Sequence, residues 1–117
     1  MKITESELIE FANDPKNNID MGQCDTNAIK VFVKFGCDIH SGEATYMECS
    51  GEKHDCLHIW NVLKFTSESG KEETQIIDII NYKKNMGGKY TAHRDGCLVS
   101  KEHLERTRKI KRELLNA

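Results

Sequence analysis

The chain lacks the features that would place it in a membrane or in a disulfide-stapled scaffold. No apolar run approaches the roughly 20 residues that a membrane-spanning helix needs, and the start Met1-Lys2-Ile3-Thr4-Glu5-Ser6-Glu7 has no apolar stretch or small-residue cleavage site of a secretory signal. These absences predict a cytoplasmic chain with no membrane span. They are also compatible with export of a toxin or effector by a signal-independent route, or with a fragment of a longer protein. The cysteines are Cys24, Cys37, Cys49, Cys56 and Cys97, an odd set with irregular spacing. That excludes a complete disulfide framework and points to mostly free thiols in a reducing compartment. Gly87-Gly88 lacks the flanking pattern of a phosphate loop, and no cofactor is expected. No aromatics interleave the basic residues near the C-terminus, which argues against a nucleic-acid partner.

What is present describes an ordinary soluble chain. Its 117 residues, 38% hydrophobic and 31% charged, fit one domain over 1–117 with a modest core. From Gly22 to Gly36, residues Cys24, Ala28, Val31, Phe32 and Phe35 recur at helical spacing, and Gly36 can close the helix in a left-handed conformation. Cys24 then sits in the first turn, where unpaired backbone N–H groups and the helix dipole favour a thiolate. Asp25 beside it works the other way, so a base is needed.

Leu57 to Phe65, rich in β-formers, and the isoleucine run Gln75 to Ile80 flank Thr66-Ser67-Glu68-Ser69-Gly70, which reads as a hairpin. Centred near Glu68, it would set His58 opposite Asp78, Trp60 opposite Ile76 and Val62 opposite Thr74 on one face, with Ile59 opposite Ile77 on the other. Asp78 would then fix one imidazole nitrogen and leave the other to face Cys24. Alone, Cys24 would read as a small buried hydrophobe and His58 as a core histidine. A carboxylate amid isoleucines, however, requires a partner.

The Gly-x-Cys helix start, the Ala four residues after the Cys, the His-x-Trp-Asn strand and the Ile-Ile-Asp strand resemble the papain-like and transglutaminase-like cysteine hydrolase superfamily. The likeness covers about half the chain, Gly22 to Ile80, and is nearest to small papain-fold domains of bacterial toxins and effectors, including glutamine deamidases. It implies an α+β fold in which an N-terminal helix carrying the Cys packs on a small antiparallel sheet carrying the His and Asp. It also implies Cys24 as nucleophile, His58 as base and Asp78 as orienter. Papain-type proteases place an amide side chain before the nucleophile to bind the oxyanion, and Asn18 and Gln23 are the candidates here. The expected activity is a cysteine amidohydrolase that deamidates a glutamine side chain of a protein substrate, or cleaves a peptide bond, through an acyl-thioester. The alternative is a noncatalytic inhibitor, adaptor or zinc module.

The zinc alternative draws on Cys49, His54, Cys56 and His58, with Cys37 and His40 upstream, although these spacings depart from the usual structural-zinc pairs. Outside the 22–80 core, a capping box at Thr4-Glu5-Ser6-Glu7 should open a short helix through about Ala12, with Leu8, Ile9 and Phe11 as contacts, serving as a lid or packing element. Asp14 to Gln23 reads as a loop delivering the chain to Cys24. Ala44 to Cys49 reads as a further strand joined through Ser50-Gly51-Glu52, and Tyr82 to Cys97 as a long loop or irregular strand pair. Ser100 caps a basic helix over about 100–115 with Leu104, Ile110, Leu114 and Leu115 as its apolar stripe. Six basic residues against three acidic ones give that helix about +3, with the remainder at about −5. That helix could meet an acidic partner, but a solvated face explains it more simply.

Overall fold

A computed structural model describes residues 1–84, 89–94 and 97–115. Glycine in a left-handed conformation or a short hairpin turn punctuates the first half of the chain, and the elements follow from that punctuation. Helix α1 (Glu5–Asn13) opens where Thr4 Oγ1 accepts the Glu7 amide at 3.2 Å. Helix α2 (Cys24–Phe35) closes where Gly36 takes φ 74°, its N–H bonding the Phe32 carbonyl. Strands β1 (Asp38–Met47), β2 (Lys53–Thr66) and β3 (Glu72–Ile77) follow, then a 3-10 helix (Ile79–Tyr82), β4 (Lys89–Thr91), β5 (Cys97–Val99) and helix α3 (Lys101–Leu115).

The architecture is α+β, with an antiparallel sheet in the order β3-β2-β1-β4 and β5 also paired to β1. Among the described residues of 82–97, the two strands pair with β1 rather than with each other. β4 aligns Tyr90 with Tyr46 and β5 aligns Leu98 with His40, both against β1. Gly87-Gly88 and Asp95-Gly96 lie outside the described residues.

Several boundaries differ from expectation, β3 among them: it runs Glu72–Ile77 rather than Gln75 to Ile80, because Ile79 and Ile80 turn into a 3-10 helix. β1 begins at Asp38 rather than Ala44 and ends at Met47, because its register with β2 is unbroken from Asp38↔Val62 to Met47↔Lys53. β2 accordingly begins at Lys53 rather than Leu57. The β2–β3 register is Asn61↔Ile77, Val62↔Ile76 and Lys64↔Thr74, two residues away from the expected pairing. The cause is the turn: Ser67 and Lys71 close the loop, with Gly70 at φ 82°, so the hairpin centres beyond Glu68. A shift of two residues keeps every side chain on its original face, and Asp78 therefore stays on the His58 side.

The core forms in two patches. One joins Leu8, Phe11 and Ala12 of α1 to Ile19, Val31, Cys37, Ile77, Ile79 and Ile80; the other joins Ala28 and Ile29 to Ile39 and Leu104. Thus α1 is a packing element. Ile9 and Phe32, expected as contacts, are exposed, while Asn27 and Ile29 turn inward instead. Asn61, 1% exposed, donates its side-chain amide to the Ala28 carbonyl at 3.0 Å and ties α2 to the sheet. On α3, Ser100 Oγ accepts the His103 amide at 3.1 Å as expected of a cap. Leu104 is buried, whereas Ile110 and Leu114 of the same stripe stay exposed. No described helix is long and apolar enough to cross a membrane.

Candidate active site

The site is built from α2, β2, the residue after β3 and the segment after β4. Cys24, half-buried, is the first residue of α2; Gln23 precedes it and supplies no side-chain cap. The helix is seated by Asn27, whose side-chain amide donates to the Asp20 carbonyl at 2.9 Å. The preceding loop is held by Lys30, which donates to the Asn17 and Asn18 carbonyls at 2.6 and 3.2 Å, and by Lys83, which donates to the Ile19 carbonyl.

His58 and Asp78 meet where the sequence pattern places them on a common face. β3 ends at Ile77, opposite Asn61, so Asp78 lies one step beyond the ladder and reaches His58 diagonally. His58 Nε2 lies 2.7 Å from Asp78 Oδ2, both side chains almost fully buried. A carboxylate only accepts hydrogen bonds, so Nε2 carries the proton and Nδ1 is left for Cys24. Burial opposes charge on the imidazole, but hydrogen bonds to Asp78 and Cys24, reinforced by their charges, outweigh it and push the His58 pKa up to about 9. The ring is thus an imidazolium at neutral pH.

Several members of the site were not anticipated. His93 Nε2 also lies 2.7 Å from Asp78 Oδ2, with its side chain 9% exposed. Tyr90 stacks on His58 with ring centroids 3.6 Å apart, and Trp60 meets His93 edge-on at 5.0 Å. Gly42 is the residue opposite His58 on β1, so no side chain there competes with the Tyr90 ring. Burial, then the charges of Cys56, Cys24, Asp78 and Tyr46, push the Tyr90 hydroxyl to about 12. The only sequence signal for His93 and Tyr90 was their residue type in a stretch read as irregular.

Two other cysteines, Cys37 and Cys56, have raised thiol pKa values. Burial, followed by the charge of Asp38, pushes Cys37 up to about 11. Burial, then the charges of Cys24, Asp55 and Asp78, also raises Cys56, whose Sγ lies 3.6 Å from the Ala44 carbonyl. Asp25, the unfavourable neighbour of Cys24, is engaged: Oδ1 accepts the Thr26 amide at 2.8 Å and Oδ2 lies 3.7 Å from Arg108 Nε of α3. Of the oxyanion candidates, Gln23 is exposed directly beside Cys24. Asn18 is exposed at φ 52° on the tethered loop, and no described hydrogen bond joins its side chain to the cluster.

The zinc set is not brought together. His54, Cys56 and His58 alternate along one face of β2, but their donor atoms and that of Cys49 do not gather within 4.8 Å of one another as a group, among the described residues. His54 instead turns to Glu48 and Glu52 at 3.3 and 3.9 Å, Cys56 to a carbonyl and His58 to Asp78. Donor atoms of His58, Asp78 and His93 do lie within 4.8 Å of one another, as do those of Glu48, Glu52 and His54. In the first group the hydrogen bonds account for the geometry, and among the described residues every buried side-chain polar atom has a partner. A groove of about 330 Å³ lined by Glu7, Phe11, Asn17 and Phe35 lies at the other end of α2 and shares no residue with the cluster.

Neither a protein-family model nor a curated protein nor a solved structure matches the chain.

Proposed function

We propose that the chain is a cysteine amidohydrolase with a papain-like or transglutaminase-like core, most suited to deamidating a glutamine side chain of a protein substrate. The observation that carries this reading is the His58–Asp78 contact at 2.7 Å, with the second imidazole nitrogen left for Cys24 at the start of a helix. The Cys24 thiolate attacks the carboxamide carbon, and the carbonyl oxygen takes the negative charge. Thr26 N–H is engaged by Asp25 and Asn27 N–H by Gln23, which leaves the Cys24 and Asp25 amides as first-turn donors for that oxyanion, among the described residues. Gln23 is the adjacent side-chain donor.

As the tetrahedral intermediate collapses, the C–N bond breaks and the His58 imidazolium gives its proton to the leaving nitrogen as ammonia. His58, now neutral, takes a proton from water, whose oxygen attacks the thioester. The C–S bond then breaks, releasing a carboxylic acid and restoring the thiolate–imidazolium pair. Peptide cleavage would follow the same steps with an amine leaving.

The uncovered Ile110 and Leu114 of the basic helix α3 favour a second reading, a noncatalytic contact with an acidic protein partner. One experiment separates the two. The protein is incubated with a glutamine-containing protein or peptide and ammonia is followed, in parallel with Cys24→Ala. Release by the wild type and none by the folded variant supports the hydrolase. Identical behaviour of the two proteins, with a biological effect intact in Cys24→Ala, leaves the binder.

A further inference from the structure

Asp78 is placed where it has little to hold it. It lies past the last β3 pair, at the start of the 3-10 helix, and engages His58 through one oxygen only. A carboxylate held at one point can swing about its side-chain bonds, and each swing would turn the imidazole away from the sulfur. His93 removes that freedom. Its Nε2 donates to the same Oδ2 at 2.7 Å from a separate segment, its ring centroid 6.3 Å from that of His58.

His93 is itself fixed on both sides. Ala92 takes φ 49°, a left-handed conformation that costs a non-glycine residue about 1 kcal/mol or more. Arg94 donates its backbone N–H to the Glu43 carbonyl at 2.9 Å, and its guanidinium reaches Asp55 at 3.1 Å and Glu43 at 3.4 Å. Ala92 and Arg94 are exposed, and the side chain between them is turned in to Asp78 and Trp60.

We infer that His93 is a positioning residue of the same centre, holding the Asp78 carboxylate in the one orientation that presents His58 to Cys24. The inference rests on the thiol-nucleophile reading above. A histidine that merely satisfied a buried carboxylate would stabilise the fold and leave the reactivity of Cys24 alone.

The test is the rate of iodoacetamide alkylation at Cys24 from about pH 5.5 to about pH 10, resolved by mass spectrometry, for the wild type, His93→Phe, His93→Gln and His58→Ala. Above about 9 the wild-type His58 imidazolium is lost, so its help to the thiolate ends there. Tyr90, at about 12, stays neutral throughout. The expected result is an about tenfold slower rate for His93→Phe at acidic and neutral pH, the equivalent of one pKa unit. Convergence with the wild type at the alkaline end and recovery of most of the loss by His93→Gln, whose amide can donate to Oδ2, complete the expectation.

A His93→Phe profile that superimposes on the wild type, or is displaced equally at every pH, overturns the inference while the His58→Ala loss keeps the hydrolase reading. His58→Ala matching the wild type overturns both. Should His93→Phe fail to fold by circular dichroism, His93→Asn, whose shorter amide falls short of Oδ2, takes its place with the same expectations.

Discussion

The imidazole of His58 and the phenol ring of Tyr90 lie face to face, centroids 3.6 Å apart and planes within 8° of parallel. The stack fixes the plane in which both imidazole nitrogens point, and a neutral phenol facing an imidazolium adds a cation–π attraction. Tyr90→Phe should keep Cys24 alkylation near the wild-type rate. Tyr90→Ala should slow it about 5- to 30-fold, equivalent to 1–2 kcal/mol. Rates at neutral pH check this; equal rates for Tyr90→Ala and the wild type would remove the ring from the site.

The raised pKa of His58 links stability to pH. Unfolded, the imidazole titrates near 6.5; folded, near 9, so the folded state holds more protons between those values. The stabilisation is fully present below pH 6.5 and is lost as pH rises through about 9, with a full span of about 3 kcal/mol. Urea unfolding from about pH 6.5 to about pH 8.5 should show the fall, and His58→Gln should flatten it. The buried Cys37, at about 11, weakens stability in the same direction but mainly above that range.

Asn61 couples the helix start to the sheet through its bond to the Ala28 carbonyl. Asn61→Ala should cost about 1–2 kcal/mol in urea unfolding. It should also slow Cys24 alkylation, because α2 loses the bond that seats its first half against β2. Loss of stability with unchanged alkylation would show that the helix start is held by Asn27 instead.

Arg108 keeps the Asp25 carboxylate occupied beside Cys24, at 3.7 Å and partly exposed. Arg108→Ala should change stability by under about 1 kcal/mol. At low ionic strength the freed Asp25 should slow alkylation of Cys24 about twofold, and physiological salt should narrow the difference. A salt-independent effect would point to lost packing of α3.

Chelation should leave these rates unchanged, since hydrogen bonds account for the His58–Asp78–His93 geometry. A fall in Cys24 reactivity after EDTA dialysis, restored by a divalent ion, would assign that trio to metal binding.

Half of the candidate cluster's geometry was legible in the chain because its signals are local. A cysteine ahead of an apolar helical stripe marks a helix start, and period-two alternation sets which face His58 and Asp78 share. That face survived a register error of two residues, since only an odd slip reverses it. The turn geometry was not legible: Gly70 in a left-handed conformation recentred the hairpin, and composition alone does not choose between turns of similar residues. The start of β1 was hidden because Ser41 and Gly42 are poor strand formers whose pairing with β2 is enforced by the neighbouring strand. Tyr90 and His93 were out of reach for a different reason. Their positions depend on two short strands pairing with the same strand, β1, and on Ala92 adopting a conformation that no sequence pattern announces.

That shared edge has a consequence for how the protein is made. Cys24, His58 and Asp78 leave the ribosome well before Tyr90 and His93, and β4 and β5 can pair only once β1 has been waiting for some fifty residues of synthesis. In the proposed centre, the nascent chain carries its thiol, imidazole and carboxylate before the two groups that hold them in place. Competence is completed by the closing of a sheet edge, so a chain cut short before Tyr90 would keep thiol, base and carboxylate without the clamp around them.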